Sequence, residues 1–323
     1  MFKFKTPQKI FQVGKVRVGG QPGELPTVLI GTIFYIGHKI VEDQEKGVFD
    51  KAKAEELIKR QDEWSATTGN PCVVDVVCSS LEAARKYIDF VAGVTDAPIM
   101  IDVFKPEIKF EVLKYVREAG LSSRVIYNSI MPYPREDEIV ALKESKIESA
   151  LLLVYNVKDR TSKGVLSMLK GDGGQKGLLK YSEEAGITKP LIDTTIFTYV
   201  PSIGVGSKAC FLVKDELGLP VGGAPGNATN KGGPLWKKIK PWGLDIFKAC
   251  EATSQAIPIA FGADFLLYGI IEAAPWVFPA CAMIDAMVAT VAKVEYGISP
   301  LTKEHPLYKI FPEFVEKLEK AGF

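Results

Sequence analysis

The chain has 323 residues and a formal net charge of +1, with 47% hydrophobic and 24% charged residues. That is the composition of a folded globular protein. It argues against a disordered chain, and against a strongly basic surface for nucleic acid or anionic membrane. The five cysteines (Cys72, Cys78, Cys210, Cys250 and Cys281) are scattered and form no CxxC pair. They read as free thiols of a reducing cytoplasm rather than zinc ligands or a disulfide framework.

In chain order, the first residues, MFKFKTP, lack the continuous apolar run of a secretory leader, and the expected location is cytoplasmic. Phe11 to Val18 alternates around Gly14-Lys15, which predicts a small β-hairpin. From Val28 onward, short apolar runs alternate with longer amphipathic ones. The predicted strands are Val28–Thr32, Cys72–Cys78, Ile99–Val103, Val125–Asn128, Ala150–Tyr155, Leu191–Asp193, Pro220–Gly223 and Phe265–Tyr268. They look buried on both faces, as parallel strands are. The predicted helices are Lys51–Thr68, Leu81–Val94, Pro106–Ala119, Glu136–Ser145, Lys176–Ala185, Ser207–Leu219 and Gly243–Phe261, with a last one starting near Pro275.

The stretch VGGAPGNATNKGGP, from Val221 to Pro234, is too rich in Gly and Pro for helix or strand and reads as a long loop. Its Asn227-Ala228-Thr229 sequon is a chance match without a secretory leader. Ala273 to Val291 is the most apolar run, but Asp285, Pro275 and Pro279 within it favour a buried helix over a membrane span. The tail from Leu301 ends in an amphipathic helix, Pro312–Ala321.

Eight strands each followed by a helix predict an α/β fold, a TIM (β/α)8 barrel with a short N-terminal β-hairpin plugging its bottom. A doubly wound open sheet is the alternative. With no repeat or linker, the expectation is one domain over residues 1–323, with a hairpin extension at 1–26 and a helical tail at 299–323.

In such a barrel the site lies where the strands end. Here the apolar runs carry or lead into Asp75, Asp102, Asn128, Asn156, Asp193, Asn227 and Asp264. Asp and Asn are poor strand formers. Turn and cap chemistry explains any one of them, and for Asp75 a cap ahead of Leu81 is the competing role. Together, Asp102, Asn128, Asp193 and Asn227 would offer two carboxylates and two amides to one cavity. With only His38 and His305 in the chain, a Mg- or Ca-type oxygen site is the metal option. A flat heterocycle with neighbouring N–H donors, such as a pterin, fits better, and no directly bound metal is expected.

At these residues the sequence resembles the pterin-binding methyltransferase family. The matching segments are IMIDVF with Asp102, VIYNSI with Asn128, LIDTTI with Asp193 and GGAPGN with Asn227. A closer resemblance, to the H-subunit family of tetrahydromethanopterin S-methyltransferase, covers nearly the whole chain. It rests on GGQPGELPTVLIGTIFY from Gly19, Gly37-His38, GVFD from Gly47, VTDAP from Val94 and GADFLLYG from Gly262. Its bacterial branch includes the tetrahydrofolate methyltransferase of glycine betaine demethylation. The Lys-rich tail and divergent loops point to that branch, and so to tetrahydrofolate. Tetrahydromethanopterin, within a larger complex, is the alternative.

The resemblance implies transfer of a methyl group between a methylated corrinoid (cobalamin) on a small partner protein and N5 of the pterin. It also implies a homodimer. Asp102, Asn128 and Asp193 would hold the ring. Gly222 and Gly223 would let the backbone approach it, and Asn227 would hydrogen bond to N5. Asp75 is assigned to proton handling or pterin contact. Gly204-Val205-Gly206-Ser207 reads as an anion cradle or the start of a helix. Three other readings stay open: a pterin-binding component without activity of its own, a dihydropteroate synthase-type condensation, and an aldolase. No predicted strand ends in the Lys an aldolase needs.

Overall fold

The computed structural model describes residues 3–322. Eight parallel strands close into one barrel: Val28–Ile33, Cys72–Cys78, Ile99–Val103, Val125–Ile130, Ser149–Leu153, Lys189–Asp193, Val221–Gly223 and Phe265–Ile270. The eighth pairs back onto the first, Phe265 opposite Val28. Every residue of the second strand is buried, because one face meets the barrel interior and the other the helices.

Alternate residues of each strand turn inward. Val28, Ile30, Val73, Met100, Ile126, Leu151, Leu191, Phe265 and Leu267 form one interior cluster. Their outward neighbours, such as Leu29, Val74, Ile101 and Ile192, join the larger cluster beneath the helices. The same parity carries the interior rows to Thr32, Asp75, Asp102, Asn128, Leu153 and Asp193. In register, Thr32 lies opposite Asp75, Asp102 opposite Asn128, and Leu153 opposite Asp193. The interior is therefore apolar at the strand starts and polar at the strand ends.

The predicted hairpin is Ile10–Val13 paired antiparallel with Val16–Gly19. Val13 and Val18 are buried in the interior cluster, so the hairpin plugs the N-terminal end of the barrel. Lys214, wholly buried, donates to Gly20 O at 2.6 Å and pairs with Asp264 at 2.8 Å. Asp264 thus stands at the bottom, just before the eighth strand and away from the mouth. The reason is local: the Asp264 backbone N–H bonds Val221 O at the start of the seventh strand.

Other elements differ from their expected bounds. The helix predicted over Lys176–Ala185 is Leu178–Glu184, and a further helix, Ser162–Lys170, precedes it. A tight hairpin, Gly171–Asp172 with Gln175–Lys176, joins the two. The helix expected from Ser207 begins at Ser202, so Gly204 falls in its first turn and Val205 to Ser207 lie further in. The long Gly- and Pro-rich loop holds two short helices, Gly226–Thr229 and Pro234–Ile239. Pro225 and Pro234 stand at helix starts, where a missing N–H costs nothing.

Ile271–Tyr296 is long and apolar enough to cross a membrane, but half of its apolar window is buried here. It packs on the helices Leu244–Ala260 and Lys51–Thr68 as part of the barrel's outer layer.

Removing one member of a buried ion pair leaves the other charge uncompensated, at a cost of about 3–5 kcal/mol. Lys214→Met should therefore lower unfolding stability by about that amount in chemical denaturation. Lys214→Met combined with Asp264→Asn should lower it less. Equal losses would show that the pair is not the source.

Candidate active site at the barrel mouth

A cavity of about 500 Å³ opens at the C-terminal ends of the strands. Asp75, Asp102, Asn128, Asp193 and Asn227, from four strands and the short helix after the seventh, all line it. The inward parity of each strand puts them there. Gly222 and Gly223 do not line it. A Cβ at Gly222 would fall 2.0 Å from the Phe265 carbonyl, and one at Gly223 3.0 Å from Ile196 Cδ1. Those two glycines permit packing within the wall. The glycines facing the cavity are Gly226 and Gly269, where a Gly226 Cβ would lie 2.5 Å from the Gly269 nitrogen. Asn156, at the fifth strand's end, is also absent from the lining. Its side chain shapes the following loop by accepting from the Lys158 and Asp159 N–H groups at 3.0 and 3.1 Å.

The carboxyls are costly where they sit. Asp75 accepts from Thr32 Oγ1 at 2.8 Å, while its Oδ1 is buried without a partner. Burial pushes Asp75 up to about 6, with the hydrogen bond from Thr32 pulling the other way. It does not cap the next helix; Ser80 does, accepting from the Ala83 N–H at 3.0 Å. Asp102, half-buried, is raised well above the usual carboxylate range by burial and then by Asp75, with Lys109 opposing. Asp193 is pushed up to about 6 by burial, against one hydrogen bond from the Thr195 N–H at 2.8 Å. Lys109 at the wall is shared with Glu138, 3.4 Å away. Asn227 Nδ2 donates to Ile196 O at 3.3 Å, which leaves its Oδ1 for another contact.

Such a site suits a ligand that brings several N–H donors to buried, under-partnered acceptors. A reduced pterin, with its amino group and ring N–H on one edge, meets that demand. Among the described residues no group of three or more His, Cys, Asp or Glu side chains is placed to hold a metal. The five cysteines are unpaired, and Cys72, Cys78, Cys210 and Cys281 are buried. The sequence reading missed Thr32, Lys109 and Tyr35 in the cavity wall. Thr32 was detectable, since it shares the parity of Val28 and Ile30. Lys109 and Tyr35 lie beyond the strands and gave no such signal.

The profile of the Tetrahydromethanopterin S-methyltransferase MtrH subunit matches residues 6–301. The H subunit of tetrahydromethanopterin S-methyltransferase from Methanopyrus kandleri is 43% identical, over 93% of this chain and 96% of that one. Its counterpart from Methanothermobacter thermautotrophicus is 41% identical, over 96% and 100%. Among solved structures, Xanthomonas albilineans dihydropteroate synthase in complex with 7,8-dihydropteroate aligns with a TM-score of 0.55 at 15% identity. It covers 86% of this chain and 98% of that one, and shows the shared barrel fold.

A carboxyl raised from its ordinary 3.8 to about 6 binds its proton more tightly in the folded chain. Through that window the native state holds more protons than the unfolded state, so stability falls as pH rises, and the full deficit is present above it. Asp193→Asn keeps the acceptor for Thr195 and removes the buried charge. Thermal melting should show the variant more stable than wild type near pH 7, the gain shrinking toward about pH 4. A variant destabilised equally across that range would contradict the assignment.

Proposed function

The chain belongs to the H-subunit family of tetrahydromethanopterin S-methyltransferase, one of pterin-dependent methyltransferases, and from that premise we propose that it moves a methyl group between N5 of a reduced pterin in the barrel mouth and a corrinoid carried by a partner protein. The observation that carries the proposal is the convergence of Asp75, Asp102, Asn128, Asp193 and Asn227 on one cavity. The full-length relatives are named for tetrahydromethanopterin. That favours this pterin over the tetrahydrofolate expected from the tail and loops. Both pterins present the same ring edge to the cavity.

Asp102 and Asp193 would take the amino and ring N–H donors, with Asn128 beside them and Asp75 accepting or releasing a proton. Asn227 would stand at N5, its Oδ1 accepting a hydrogen bond from N5–H when the ring nitrogen is protonated. In transfer away from the pterin, the N5–methyl electron pair stays on nitrogen, and the corrinoid supplies the pair for the new bond. Protonation at N5 makes that nitrogen a better leaving group. In the reverse direction the N5 lone pair would attack the methyl carbon as its bond to the corrinoid breaks, the electron pair of that bond leaving with the corrinoid. No side chain of this chain needs to carry the methyl group, and the contribution of the protein is orientation and charge stabilisation.

The corrinoid must reach the mouth from outside. Phe104, Met131 and Tyr133 are exposed apolar residues on the loops after the third and fourth strands, a surface a carrier protein could meet. The relatives are named as subunits, which supports a chain that works with others. Self-association into a homodimer and a cytoplasmic location complete the proposal.

Single-turnover transfer from 5-methyl-tetrahydromethanopterin to reduced free cobalamin, followed in the visible spectrum, tests it. Wild type should transfer. Asn227→Ala should lower the rate about 100-fold while pterin affinity changes only a few-fold. A folded wild type inert with both methyl-tetrahydromethanopterin and methyl-tetrahydrofolate would refute the activity.

A further inference from the structure

The carboxyls and amides described above meet the edge of a flat ring, but nothing so far accounts for its face. One aromatic side chain lining the cavity is held in place by several contacts: Tyr35, on the loop after the first strand. Its hydroxyl donates to Glu272 Oε1 at 3.1 Å. Its ring stacks on the His38 imidazole, with centroids 4.2 Å apart and planes 10° apart.

His38 is fixed in turn. Its Nδ1 accepts from the Phe34 N–H at 3.1 Å, and its Nε2 lies 3.2 Å from the same Glu272 oxygen. Burial would raise the Glu272 carboxyl, but His38, backbone and Tyr35 hydrogen bonding outweigh it and leave it lowered. Glu272 thus accepts from the Tyr35 hydroxyl and stands beside the His38 ring. It comes from the short turn just after the eighth strand, which closure of the barrel sets beside the first.

The backbone agrees with a built position. Phe34, wholly buried, has φ 60°, a left-handed conformation disfavoured for a bulky side chain. It is held by stacking on Tyr87 at 4.0 Å and by Gln44 Nε2, which donates to its carbonyl at 2.8 Å. The strained residue turns the chain where Tyr35 leaves the strand. His38 covers one face of the Tyr35 ring, and the ring borders the cavity, so the other face is the one available to a ligand.

We propose that Tyr35 covers a face of the bound heterocycle, and that Glu272 and His38 are the positioning residues that hold it there. The inference rests on the pterin reading above and adds a residue to that same site. It involves no bond making or breaking. Stacking on an aromatic side chain makes a sequence-independent contribution to the binding of flat heterocycles, and its loss weakens binding about 10-fold or more.

The test is calorimetric titration of the full chain with tetrahydromethanopterin and tetrahydrofolate. Tyr35→Leu should lower affinity about 10-fold or more, and Tyr35→Phe, which keeps the ring, only a few-fold. Glu272→Gln should weaken binding in the Tyr35 background and have a smaller effect in the Tyr35→Phe background, because it acts through the hydroxyl. That coupling is a readout general destabilisation would not produce, and it stands even if Tyr35→Leu fails to fold. Undiminished binding by folded Tyr35→Leu, equal losses in Tyr35→Leu and Tyr35→Phe, or an equal Glu272→Gln effect in both backgrounds would overturn the proposal. In the first two cases, pterin binding by wild type would leave the pterin reading intact. Failure of wild type to bind either pterin would overturn both.

Discussion

The interior of a closed parallel barrel admits only every second residue of each strand, and that parity organises the rest of this molecule. Along the inward rows, Val28 and Ile30 lead to Thr32, Val73 to Asp75, Met100 to Asp102, Ile126 to Asn128, and Leu191 to Asp193. A register slip by one residue would turn every one of these polar groups out toward the helices. The apolar lower layers, closed by Val13 and Val18 of the hairpin, therefore hold the site as well as the fold.

The same residue type is treated differently at the two ends. At the bottom, Asp264 has Lys214 at 2.8 Å. Asp285 accepts from the Thr27 N–H and hydroxyl at 3.1 and 2.8 Å and from Asn70 Nδ2 at 2.6 Å. At the mouth, Asp75 keeps one oxygen without a partner, and Asp193 has a single backbone donor. Buried acceptors left short of donors are costly to the free protein. They are also what a ligand rich in N–H groups can satisfy, so binding energy is stored where the fold is least content.

Much of this was legible in the residues. The eight strands were, because each is a short apolar run buried on both sides. The inward Asp and Asn residues were, because such residues are unusual at the ends of those runs. The helix Ser162–Lys170 was missed because Gly164 and two serines dilute its apolar face. The Gly- and Pro-rich segment hid a helix of only four residues, whose start uses Pro225 as a helix former rather than a breaker. Tyr35 and Glu272 meet only through closure of the barrel, 237 positions apart in sequence. No local pattern marks that pair.

The central claim is that the under-partnered acceptors of the mouth are completed by a reduced pterin. Equilibrium titration of the wild-type chain with tetrahydromethanopterin, alongside Asp102→Ala and Asp193→Ala, addresses it most directly. The account predicts one pterin bound per chain at micromolar concentration, and loss of binding in both folded variants. A folded wild type that binds no pterin, or variants that bind it as well as wild type does, would contradict it.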